Sequence, residues 1–100
     1  MSTPLTLTRA SRPDGGRVLT VVGEIDMSNS GELAAAVEAE LEGGGVVLVD
    51  LTRVEYLDSA GLSVLLLHAE RIEILATALI APILTISGLP GLTTVRGLEA

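Results

Sequence analysis

One hundred residues with 48% hydrophobic side chains suffice for one small domain with one core, and they exclude a disordered chain. Thirteen acids against six bases, all arginine, give a net charge of −7, which argues against nucleic acid and against anionic membrane surfaces. Aromatics are 1% and cysteine is absent, so base-stacking platforms, disulfides, thiolate zinc sites and cysteine nucleophiles are excluded as well.

The chain starts Met1-Ser2-Thr3-Pro4-Leu5 with no basic region followed by an apolar stretch, so no secretory signal is visible and a cytoplasmic protein is the default. Leu5-Thr6-Leu7-Thr8 alternates as a half-buried strand does. Pro13-Asp14-Gly15-Gly16 is a turn signal, and Val18 to Val22 returns as the second strand of an antiparallel hairpin. Gly23-Glu24-Ile25-Asp26 leaves that strand. Ser28, Asn29 and Ser30 are capable helix caps, with Glu32 placed after Asn29 as a weak capping box. Leu33, Ala36, Val37 and Leu41 then recur at helical spacing, which assigns Glu38 and Glu40 to a solvated face until Gly43-Gly44-Gly45 ends the helix.

Val46-Val47-Leu48-Val49 reads as an interior strand, and Asp50-Leu51-Thr52-Arg53 leads from it into Val54-Glu55-Tyr56-Leu57. From Leu62 the apolar positions fall at 62, 65, 69, 72, 76 and 79, which predicts one helix from about Ser59 to about Thr77 or Leu79. A strand over Ile72 to Ala76 competes, given its isoleucines; periodicity and the lack of turn residues between Ala69 and Ile72 favour the helix. Pro82 to Ile86 reads as the last strand, and Pro90 opens a short final helix through Val95. The stretch from Ile72 to Ile86, broken by Glu73 and Pro82, falls short of the ~20 apolar residues of a membrane span. The predicted fold is α/β: one domain over residues 1–100, with a mixed sheet of four to five strands and helices mainly on one face.

Asp58-Ser59-Ala60-Gly61 stands at the strand-to-helix junction. Helix-opening amides point outward there with partial positive charge, so a phosphate on Ser59 would be tolerated. From the residues alone Ser59 is most simply an ordinary helix cap, and Asp58 can be that cap instead. An enzymatic role finds little support. Leu57 stands where a Gly-x-Ser-x-Gly elbow needs its first glycine, and the lone His68 lies too far along the helix to serve Ser59 as a base. Asp26, Asp50 and Asp58 could meet at one sheet edge, but such acids are more often caps than metal ligands. Glycines 43 to 45 precede a strand, and the chain has no lysine, which excludes a phosphate-cradling loop and a receiver-type aspartate site.

Val46 to Leu51, Val54 to Leu62 with its Asp58-Ser59-Ala60-Gly61-Leu62 run, and Gly23-Glu24-Ile25-Asp26 together resemble STAS domains, most closely anti-sigma factor antagonists. The resemblance implies a partner-switching protein without enzymatic activity or cofactor. In that family the serine matching Ser59 is phosphorylated by an anti-sigma factor kinase, and a serine phosphatase resets it. Glu24, Asp26, Asp58, Ala60, Gly61 and Leu62 would then shape the recognition surface. The alternatives are a STAS-type scaffold that binds partners without phosphorylation and, less favoured, a serine hydrolase. Two departures stand out: a shortened final helix, and a second helix more apolar over residues 72–80 than the family's. Leu67, Ile74 and Ile80 lie off its main stripe, which predicts self-association through this helix, weakened by Ile74→Asp.

Overall fold

The computed structural model describes residues 5–91 and 95–96. Strands β1 (Thr6–Ser11) and β2 (Arg17–Ile25) form the expected antiparallel hairpin, with Gly15 at φ 89° in its turn. Helix α1 (Ser30–Leu41) returns the chain to β3 (Val47–Leu57), which pairs parallel with β2. Helix α2 (Ser59–Leu67) and a 3-10 turn (Ala69–Arg71) lead to β4 (Ile72–Leu75), parallel to β3. Helix α3 (Ala81–Ser87) and a second 3-10 turn (Leu89–Gly91) precede β5 (Val95–Arg96), parallel to β4.

The sheet order is β1-β2-β3-β4-β5. Each parallel step is a crossover, and crossovers of one hand that always advance in the same direction put their helices on the same face. The core therefore lies between that face and the helices. Leu19, Val21, Ile25, Val47, Val49 and Leu51 meet Leu33, Val37, Leu65 and Leu84 there, all fully buried. Each such aliphatic contributes about 1.5–3 kcal/mol. The opposite face, with Val18, Thr20, Val22 and Leu48, is only half-buried.

Strand β3 is one continuous element of 11 residues, not two pieces. Thr20 pairs with Asp50 and Val22 with Arg53, then Gly23 with Val54 and Glu24 with Tyr56, so β3 carries an extra residue at two points. Buried positions step accordingly from Leu51 to Val54 to Leu57. The Asp50 carboxylate accepts the Thr52 amide at 2.9 Å and the Thr52 hydroxyl at 2.7 Å at the first of these irregularities. Asp50 thus supports the strand and lies well short of its end, away from Asp26 and Asp58.

The region after Leu67 differs from the expected long helix. Residues 62, 65 and 69 keep helical spacing, but Ile72, Ile74 and Ala76 are buried on a period of two, as in a strand. Pairing decides the outcome: Ile72, Glu73, Ile74 and Leu75 align with Val47 to Asp50 and complete the second edge of β3. Arg71 fixes the transition by donating to the Leu41 carbonyl at 2.9 Å. The strand expected at Pro82–Ile86 is α3, since proline suits the first turn of a helix, and Gly88 at φ 85° ends it. Pro90 lies in the second 3-10 turn, Val95 opens β5, and the intervening part of the expected final helix falls outside the described residues.

Burial corrects three further expectations. Ile74 and Ile80 are 0% and 2% exposed, so the apolar second helix proposed for self-association does not exist in that form. Leu67, 76% exposed, does remain on the surface. Glu40 is buried rather than solvated, and its carboxylate meets Arg9 Nη1 at 3.3 Å.

Candidate functional site

Strands β2 and β3 end together, with Ile25 opposite Leu57, and the Asp58 amide donates to the Ile25 carbonyl at 3.1 Å. The chain then turns from extended backbone at Asp58 (φ −97°, ψ −175°) into α2. Asp58 is the cap and Ser59 the first helical residue. Asp58 Oδ1 accepts the Ala60 amide at 2.9 Å and the Gly61 amide at 3.2 Å. Its Oδ2 accepts the Met27 amide, from the neighbouring loop, at 3.2 Å. One carboxylate therefore ties the start of α2 to the loop that follows β2.

Gly61 allows this approach. A β-carbon there would overlap the Ile25 Cγ2 methyl and lie 2.6 Å from Leu57 Cδ1. The glycine is buried, so the first turn of α2 sits directly on the ends of the two strands. Ala60 and Leu62 are half-buried, and Leu62 packs against the core. Ser59 is exposed, its carbonyl accepts the Ser63 hydroxyl at 2.8 Å, and among the described residues no hydrogen bond engages its own hydroxyl.

The loop after β2 is equally well held. Asn29 occupies the cap position of α1 but does not cap it with its side chain, contrary to the capping-box expectation. Its Oδ1 instead accepts the Asp26 amide at 2.9 Å, and its Nδ2 donates to the Glu24 carbonyl at 2.8 Å. Asp26 Oδ1 accepts the Ser28 amide at 2.9 Å, and the Asp26 carbonyl accepts the amides of Asn29 and Ser30. Glu24 is half-buried beside Tyr56 in register.

The structure thus brings Glu24, Asp26, Asp58, Ser59, Ala60, Gly61 and Leu62 to one end of the sheet. It corrects one detail of the charge argument. The Ala60 and Gly61 amides are already bound by Asp58, so a phosphate on Ser59 would lie beside a carboxylate and project outward rather than fill an empty helix end. His68 caps the far end of α2, where its Nε2 is 3.6 Å from the Glu38 carboxylate, and cannot reach Ser59. Among the described residues no group of three or more His, Cys, Asp or Glu is arranged to hold a metal ion, and no helix is long and apolar enough to cross a membrane.

Two residues of this end escaped the sequence. Asn29 carries no signal that separates bracing a loop from capping a helix. Met27 does carry one: a large apolar side chain in an otherwise polar turn, and it is 80% exposed.

A family model described as Mlab, STAS domain, matches residues 8–93. By structure the chain is similar to an anti-sigma factor antagonist from Mycobacterium paratuberculosis, at 27% identity and a TM-score of 0.85, over 95% of this chain and 89% of that one. It is also similar to the anti-sigma factor antagonist SpoIIAA in its unphosphorylated form, at 17% identity and TM-score 0.70, over 96% and 90% of the two chains. A STAS-domain antisigma-factor antagonist from Rhodobacter sphaeroides matches at 20% identity and TM-score 0.55, over 72% and 84%. The last two likenesses bear on the fold alone. No curated protein matches the chain.

Proposed function

The chain belongs to the STAS domain family, and on that premise we propose that it is an anti-sigma factor antagonist, switched off by phosphorylation of Ser59. The observation that carries this reading is the exposed Ser59 hydroxyl, displayed on the first residue of a helix whose backbone Asp58 and Gly61 hold against two strand ends. In the unphosphorylated state the surface around it, with Glu24, Asp26, Ala60 and Leu62, binds an anti-sigma factor and releases a sigma factor.

The anti-sigma factor acts as the kinase. The Ser59 hydroxyl attacks the γ-phosphorus of ATP, ADP leaves, and the serine proton passes to a base on the kinase. A serine phosphatase reverses the modification by hydrolysis. The antagonist itself is substrate and ligand rather than enzyme.

The phosphate adds about −1.5 to −2 charges beside Asp58. It points into solvent, so the free fold loses little; the cost falls on the complex, where the dianion must be dehydrated. A few kcal/mol there lowers affinity by a factor on the order of 100 or more.

The test is binding of the purified cognate anti-sigma factor to the wild-type chain, Ser59→Ala and Ser59→Glu. Wild type and Ser59→Ala should bind alike, with Ser59→Glu weaker by about 100-fold or more. Incubation with the factor and ATP should add one phosphate, at Ser59. Equal affinity in all three variants would reject the switch and favour a scaffold that binds without phosphorylation.

A further inference from the structure

One buried polar atom is left over by the fold. Among the described residues, His68 Nε2 is the one buried side-chain nitrogen or oxygen without a hydrogen-bond partner. The His68 side chain is 15% exposed at the C-terminal end of α2, and its Nε2 lies 3.6 Å from the Glu38 carboxylate on α1. That separation is too long for a hydrogen bond and short enough for an ion pair. A neutral ring leaves Nε2 dehydrated and unpaired, and a native structure seldom holds such a group without a use for it. Glu38 is free to respond. Its side chain is 60% exposed, and among the described residues nothing but His68 engages its carboxylate.

We propose that His68 and Glu38 form a proton-operated latch between α2 and α1. When the ring takes a proton from solvent, Nε2 becomes a cationic donor aimed at a carboxylate. A movement of about 0.8 Å by the Glu38 side chain, from 3.6 Å, then makes a charge-assisted hydrogen bond of about 2.8 Å. When the proton leaves, the bond loses its charge and the latch opens. Histidine is the side chain that ordinarily changes charge between about pH 5 and 8, a range over which carboxylates ordinarily stay ionised. A permanent bridge stands beside the latch: Arg71 Nη2 donates to the Leu41 carbonyl at 2.9 Å, one turn further along α1. Glu40 is engaged by Arg9, and Glu42 and Glu70 complete the charged groups of this end. Among the described residues neither these nor Arg71 lies within ion-pair distance of the ring, so Glu38 is its partner. The last turn of α2 holds no basic residue, so the protonated ring also supplies the positive charge that the helix dipole favours there. The latch acts at the opposite end of α2 from Ser59 and does not depend on Ser59 being a switch.

The experiment is a double-mutant cycle on the full chain, read by thermal melting of wild type, His68→Gln, Glu38→Gln and the double variant at about pH 5.5 and about pH 8. His68 is the only histidine of the chain, so no other imidazole titrates between the two conditions. Glutamine keeps a neutral nitrogen near the position of Nε2 and removes the charge. At the lower pH the two single losses should together exceed the loss of the double variant by about 2–4 °C. At the higher pH they should add to within about 1 °C. Additive losses at both pH values overturn the latch, and so does a coupling of the same size at both. If His68→Gln does not fold, Glu38→Gln alone decides. Its melting temperature should fall further below wild type at about pH 5.5 than at about pH 8, by the same 2–4 °C, and an equal difference at both overturns the latch.

Discussion

The end of the sheet around Ser59 and the stretch from Leu67 to Gly91 are built on different principles. At the Ser59 end, residue type and role correspond locally: Asp58 caps, Gly61 permits close approach, and Asp26 and Asn29 brace a loop within their own neighbourhood. From Leu67 onward no glycine or proline marks the exit from α2, and the chain leaves the helix because β3 has an unpaired edge that Ile72 to Leu75 can fill. The first region adds short-range hydrogen bonds to the long-range contacts of Asp58 with Ile25 and Met27, whereas in the second a long-range pairing overrides an accidental helical period. The proposed functional surface lies in the first, and the second supplies buried residues such as Ile72, Ile74, Ile80 and Leu84 to the core.

The largest test of this contrast is Ile74→Ala. As a buried strand residue its truncation should cost about 2–5 kcal/mol in urea denaturation. On the exposed side of a long helix the same change would be within about 0.5 kcal/mol, and that result would restore the helix. A smaller effect is expected at the close approach in the Ser59 region. Gly61→Ala should destabilise by about 1–3 kcal/mol, because overpacking against Ile25 and Leu57 outweighs the helical preference for alanine. A stabilised Gly61→Ala would show that the two side chains simply rotate aside. The mildest global effect should come from Asp58→Ala, about 0.5–2 kcal/mol for a lost cap. Its signature is local: faster hydrogen exchange at the Met27, Ala60 and Gly61 amides together. Faster exchange at Ala60 and Gly61 with an unchanged Met27 would uncouple the loop from the helix.

Much of the candidate site was legible because its residues act on their sequence neighbours. The Asp58-Ser59-Ala60-Gly61 run announces a strand-to-helix junction, and either Asp58 or Ser59 could have been its cap. Only the geometry assigns the cap to Asp58, and only the geometry shows its second oxygen reaching Met27 in the loop after β2. Glu40 illustrates the opposite limit. Its place among Glu38 and Glu42 in the sequence suggests solvent, yet its side chain is buried and meets Arg9, itself largely exposed on a distant strand. Pro82 shows a similar limit, since a proline can open a strand or the first turn of a helix, and burial of Ile80, Ala81 and Leu84 selects the second.

By itself the sequence determined the aliphatic core, the hairpin, the first helix, the α/β class and the strand-to-helix junction at Asp58-Ser59. These depend on composition, on patterns within one element and on contacts between near neighbours. Tertiary structure alone decided where α2 stops, that Ile72 to Leu75 is a strand, that Glu40 is buried and that the exposed Met27 is tied through its amide to Asp58. Each of those depends on groups brought together from far apart in the chain, where the favourable energy of pairing or packing exceeds the local preference of a few residues.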